Sequence, residues 1–112
     1  MNTVDVIDGA INHIESYGWC KGYMFGEEGQ ACMRGALLVG AGVEVGVRKM
    51  DASNLDEDIY VEASNIVDRT IREQIGWTGS PPMFNDEAST TQEDVILMLK
   101  HAREKASADL RN

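Results

Sequence analysis

Asp56-Glu57-Asp58-Ile59-Tyr60-Val61-Glu62-Ala63-Ser64-Asn65-Ile66-Val67-Asp68-Arg69-Thr70-Ile71-Arg72-Glu73-Gln74-Ile75 is the stretch on which the fold class turns. On a helical wheel Ile59, Tyr60, Ala63, Ile66, Val67, Thr70, Ile71 and Ile75 cover about half of the circumference. Three acidic residues open the segment, and Arg69 and Arg72 lie towards its end, both placements favoured by the helix dipole. Gly76 terminates it. A helix with so wide an apolar face needs other helices to cover it, which predicts a mainly α domain.

Towards the C-terminus, residues 77–89 contain Gly79, Pro81 and Pro82 and are expected to form a loop, pinned to the core by Trp77, Met83 and Phe84. Thr90-Thr91-Gln92-Glu93 predicts a capping box in which Thr90 covers the Glu93 amide. Val95, Ile96, Leu99, Ala102, Arg103 and Ala106 then follow at helical spacing. Lys100, His101, Arg103 and Lys105 weight this last helix with positive charge, and it is expected to fray near Asp109.

Towards the N-terminus, residues 50–56 read as a loop, and Val43, Val45 and Val47 alternate with Glu44, Gly46 and Arg48 as in a strand or an irregular extension. Residues 32–41 admit two readings. Cys32, Ala36, Leu37 and Val39 fit a buried helix in which Gly35 and Gly40 permit close helix–helix approach, and the same residues fit a buried strand. The aromatic-rich segment from Trp19 to Phe25, followed by Gly26-Glu27-Glu28-Gly29, predicts a short strand or hairpin lying against the helices. Val4, Ile7, Ala10, Ile11, Ile14 and Tyr17 form the apolar stripe of a first helix, with Thr3 as N-cap and Gly18 in a left-handed C′ position. The expected fold is therefore mainly α (α+β): one domain over 1–112, with about four helices around one core and a short β-hairpin or ribbon after the first.

Composition narrows the function classes. The chain has 112 residues, 43% of them apolar, enough to bury a core without disulfide or metal staples. Ten basic against 19 acidic residues give a net charge of −9, which argues against direct nucleic-acid binding through phosphate neutralisation. No apolar run approaches the ~18–20 residues that span a bilayer, and Met1-Asn2-Thr3-Val4-Asp5 lacks the basic start of a secretion signal. These features predict a cytoplasmic protein with no membrane partner.

Four short motifs occur in order: Trp19-Cys20-Lys21-Gly22, Cys32-Met33-Arg34-Gly35-Ala36-Leu37, Phe84-Asn85-Asp86 and Thr91-Gln92-Glu93-Asp94-Val95. Their order, over nearly the whole chain, resembles a small domain family of unknown function common in actinobacterial genomes and in bacteriophages that infect them. Residues 42–56 depart from that pattern in being richer in glycine and valine. The resemblance implies a phage or prophage origin and an α-rich fold, and it carries no activity.

No residue pattern assembles a reaction centre. Cys20 and Cys32, with His13 and His101 as the only histidines, fall short of a closed zinc pattern and read best as small buried hydrophobes, a bridge between them being the alternative. Leu37-Leu38-Val39-Gly40-Ala41-Gly42-Val43-Glu44-Val45-Gly46 lacks the strand–turn–helix context of a dinucleotide site, so its glycines serve packing or a bend. Asn85-Asp86 reads as a turn whose side chains accept backbone amides. No catalytic residue, metal or cofactor is assigned.

What remains is a group of large side chains in the loops. Trp19 and Trp77 are expected to plug the core, whereas Met24, Phe25 and Met83 are expected at the surface. The leading expectation is a small acidic interaction protein that binds a host or phage macromolecule through Trp19, Tyr23, Met24, Phe25, Met83, Phe84, Asn85 and Asp86. Two alternatives stand beside it. One is a DNA-mimicking inhibitor that uses the negative charge, and the other a small-molecule binder or enzyme with a pocket near Cys20, Cys32 and Asn85. The glycines and exposed methionines also allow a homodimer.

Overall fold

Helix caps and glycine contacts place the elements. In the computed structural model, which describes residues 1–46, 49–77 and 79–111, helix α1 spans Thr3–Tyr17 and α2 spans Met33–Gly40. A two-stranded antiparallel ribbon follows, β1 (Glu44–Gly46) with β2 (Lys49–Asp51), in the register Glu44–Asp51, Val45–Met50, Gly46–Lys49. Then come α3 (Glu57–Ile75), the short α4 (Pro81–Asp86) and α5 (Gln92–Arg111). The architecture is mainly α with a small ribbon, as its hydrophobic periodicity predicts.

Several boundaries differ from the sequence reading. The α1 N-cap is Asn2, not Thr3: Asn2 Oδ1 accepts the Asp5 amide and Asp5 Oδ2 accepts the Asn2 amide, both at 3.0 Å. Gly18 has φ 97° but an extended ψ, so its C-cap is not left-handed helical. At α5 the reciprocal pair is Thr91 with Asp94, one residue later than Thr90 with Glu93, and Thr90 itself is buried. Expected to fray near Asp109, α5 continues to Arg111. The α3 ends match the expectation: Asp56 caps the Ile59 amide at 3.2 Å, and Gly76 closes the helix in the left-handed region.

The ribbon lies after α2, not after α1. Between residues 18 and 31 the chain makes only isolated bridges, Trp19 and Phe25 each to Ala31. Glycines with positive φ at Gly22 and Gly29 bend this segment away from an extended ladder. Met50 and Asp51, expected in a loop, form part of β2, while Val47 and Arg48 lie outside the described residues. The expected loop at 77–89 contains α4, which two prolines permit because they occupy its first two positions behind the Ser80 cap.

One contiguous buried cluster joins α1, α2, α3 and α5. From α1 it takes Val6, Ile7, Ala10, Ile11 and Ile14, with α2 and α5 both packed on that helix. Covering from two sides widens the predicted stripe to include Val6 and leaves Tyr17 exposed, stacked on His13 with ring centroids 4.9 Å apart. On α5 the inward residues are Val95, Met98, Leu99, Ala102 and Ala106. Exposed ion pairs, Arg103 with Asp8 and Lys105 with Glu73 at 2.7 Å, tie α5 to α1 and α3.

The closest helix contact is α1 on α2. A Cβ on Gly9 would stand 2.8 Å from Gly40 Cα, and a Cβ on Gly40 would overlap the Val6 carbonyl oxygen of α1. Backbone meets backbone there, so no side chain can rotate away. Gly40→Ala is therefore expected to lower the unfolding free energy by about 2 kcal/mol or more, measured as a shift in the urea midpoint. Gly46→Ala, whose added carbon meets nothing within 4 Å, is expected to change it by less than about 0.5 kcal/mol.

Candidate functional site

The first connection, residues 18–32, and the α4 segment meet at one buried side chain. Asn85 has no exposed surface, and its amide is fully used. Its Oδ1 accepts the Trp19 indole N–H at 2.5 Å and the Met33 backbone N–H at 2.9 Å. Its Nδ2 donates to the Cys20 carbonyl at 3.1 Å and to Asp86 Oδ1 at 3.0 Å. Asp86 Oδ1 also accepts the Gly22 amide at 2.9 Å. The triplet thus accepts backbone amides, but from distant segments instead of its own turn.

Lys21 closes the outer side. Its ammonium donates to the Glu87 carbonyl at 2.6 Å and lies 5.3 Å from the centre of the Trp19 ring. Below the hub, Cys32 is the N-cap of α2, its Sγ accepting the Gly35 amide at 3.3 Å. Gly35 is required here, because a Cβ would overlap the Met24 carbonyl oxygen and touch the Phe25 ring at 3.0 Å. Among the described residues no buried side-chain polar atom lacks a hydrogen-bond partner.

Each side chain singled out in the sequence has a definite place. Phe84 is buried and stands edge-on to Trp77, ring centroids 6.3 Å apart. Trp19, Trp77 and Phe25 are partly buried and packed on the core, and Met24 is half-buried. Tyr23, at 76% exposure, and Met83, at 60%, stand out in solvent. Beside Tyr23 lies a shallow cleft of about 160 Å³ lined by Gly22, Tyr23, Met24, Cys32, Pro82 and Asp86, among others. A second depression, lined by Trp77, Pro82, Met83 and Asp86 among others, shares Pro82 and Asp86 with it.

The titratable groups of this region are held by burial and hydrogen bonding. Both cysteines are free thiols. Burial pushes the Cys20 thiol above its usual range, with the Cys32 sulfur and the Asp86 carboxylate adding to the effect, so a nucleophilic thiolate is disfavoured. The Gly22 amide, then the Asn85 side chain and Lys21, hold Asp86 below the usual carboxylate range. His13 bonds the Gly29 carbonyl at 2.7 Å, fastening α1 to the turn after Phe25. No group of three or more metal-ligating side chains occurs among the described residues, and no described helix is long and apolar enough to cross a membrane.

Sequence reasoning passed over two participants. Lys21 was legible only as a neighbour of Trp19. Arg34, the one charge in an apolar stretch, falls at an unspecified position of the Cys32–Leu37 motif. It lines the cleft and donates from Nε to the Tyr60 hydroxyl at 3.2 Å.

A family model described as a family of unknown function (DUF6197) matches residues 1–105. No curated protein and no solved structure matches the chain.

Asn85→Ala is expected to destabilise by about 3 kcal/mol, because it orphans a buried backbone N–H, a carbonyl and an indole N–H together. Trp19→Phe should cost about 1–2 kcal/mol, and the two effects should be less than additive in a urea double-mutant cycle. The depressed Asp86 pKa also sets a sign with pH. Its stabilising contribution is present above the ordinary carboxylate value of about 3.9 and is lost as pH falls through the lower folded value. Thermal melts across that acid range should show a shallower decline for Asp86→Asn than for the wild-type chain.

Proposed function

The chain belongs to the DUF6197 family of unknown function, and from that premise we propose that it is a non-catalytic interaction module contacting a host or phage protein. The contact surface of this reading is built from the Trp19–Phe25 and Trp77–Asp86 segments. One observation carries it: the Asn85 hub joins two segments far apart in sequence and leaves Tyr23 and Met83 exposed beside adjoining hollows. A rigidly held base with projecting aromatic and thioether groups is the arrangement of a binding hot spot. Within the set read from sequence, Tyr23, Met24, Met83 and Asp86 then make contact, while Trp19, Phe25, Phe84 and Asn85 hold them. A phage or prophage origin, with action in the cytoplasm of an actinobacterial host, belongs to the same reading and rests on the motif resemblance.

The raised Cys20 pKa disfavours a thiolate nucleophile at this position. Distribution of the acids favours protein contact over DNA mimicry. Asp5, Glu57 with Asp58, and Glu93 with Asp94 sit in the first turns of three separate helices, where the dipole already accounts for them.

Affinity capture from an actinobacterial host lysate tests this reading. Wild-type protein and Val61→Ser, a control on exposed α3 surface, should retain the same defined partner. The Tyr23→Ser/Met83→Ser double variant should retain it at least about tenfold less, while its melting temperature stays unchanged. A partner held equally by all three, or no partner above background, overturns the proposal.

A further inference from the structure

We propose that the hollow between α2 and α3 is a binding site for a small monocarboxylate bearing an apolar group, with Arg34 as its anion clamp. The hollow has a volume of about 200 Å³ and is lined by Arg34, Leu37, Tyr60, Ser64 and Pro82. It lies beside the contact surface proposed above, sharing Arg34 and Pro82 with the cleft, and does not depend on that surface having a protein partner.

Its polar groups converge on one kind of ligand. Arg34 spends only Nε, on the Tyr60 hydroxyl, and makes no ion pair among the described residues. Arg72 and Arg103 contrast with it, each being paired with a carboxylate. The terminal nitrogens of the guanidinium are left for the two-oxygen grip that a planar carboxylate fits. Tyr60 accepts from Arg34 through its oxygen, so its own O–H proton remains a donor. Ser64, one helical turn further on α3, adds a second hydroxyl.

The remaining walls and the field set the ligand's body and charge. Leu37 and Pro82 supply apolar surface, and among the described residues no carboxylate lines the hollow. The volume is below the roughly 300–1,000 Å³ of drug-sized sites, which suits one ring or a branched alkyl group. One cation lining the hollow, in a chain of net charge −9, favours a monoanion over a doubly charged phosphate ester.

Phenylacetate is a suitable probe, with phenylacetamide as its neutral isostere and phenyl phosphate as the dianion. In two-dimensional amide NMR of the full chain, phenylacetate should produce saturable shifts centred on Arg34, Leu37, Tyr60 and Ser64. Phenylacetamide and phenyl phosphate should bind at least about tenfold more weakly, as should phenylacetate to Arg34→Met. Arg34 is exposed, and an unchanged spectrum elsewhere will show that this variant is folded. Equal binding of acid and amide, unchanged affinity in Arg34→Met, shifts centred elsewhere, or no saturable shift with phenylacetate would each overturn the assignment.

Discussion

Burying an amide side chain completely is costly unless every donor and acceptor finds a partner, and Asn85 meets that condition with four bonds. Two of its partners are backbone groups, at Met33 and Cys20, and one is an indole whose N–H would otherwise be stranded against the core. The bonds require two acceptor lone pairs and two donors on one planar group. Aspartate lacks the donors, and leucine has neither. Chemistry at this position therefore dictates the residue, and the course of residues 19–33 follows from it.

Close backbone approaches also shape the helices around the hub. Gly9 against Gly40 brings the α1 and α2 backbones together, and Gly35 lets Met24 and Phe25 settle on the N-terminus of α2. Small residues continue the theme on α5, where Ala102 and Ala106 are completely buried. Close approach thins the core but multiplies its van der Waals contacts, and it leaves the larger aromatics to seal the loop side. Trp19, Trp77 and Phe84 act there as braces, which places the free apolar groups on Tyr23 and Met83.

Long periodic segments were legible. In α1, α3 and α5 the apolar spacing and charge placement agree with their observed boundaries to within a residue or two, because local signals and burial point the same way. Capping positions slipped by one residue where neighbouring side chains can serve equally well, as with Asn2 and Thr3 or Thr90 and Thr91. The short apolar run at α2 carried no such signal, and α4 was masked by its two prolines. Aromatic residues at 19–25 resembled a strand because both strands and loop braces favour bulky rings. The meeting of Trp19, Met33 and Asn85 could not be read from local periodicity, since those contacts span 52 and 66 residues. Arg34 was invisible for the same reason, its partner Tyr60 lying 26 residues away.

Those long spans carry a consequence for synthesis on the ribosome. A nascent chain that has emerged only as far as α3 has no group to receive the Trp19 indole or the Met33 amide, and closing so wide a loop carries an entropic cost. Helices α1 and α2 can dock early through their glycine contact, but the first connection must await the arrival of α4. At translation rates of about 5–20 residues per second, that leaves an interval of seconds in which the aromatic loop is open to chaperones or to premature association.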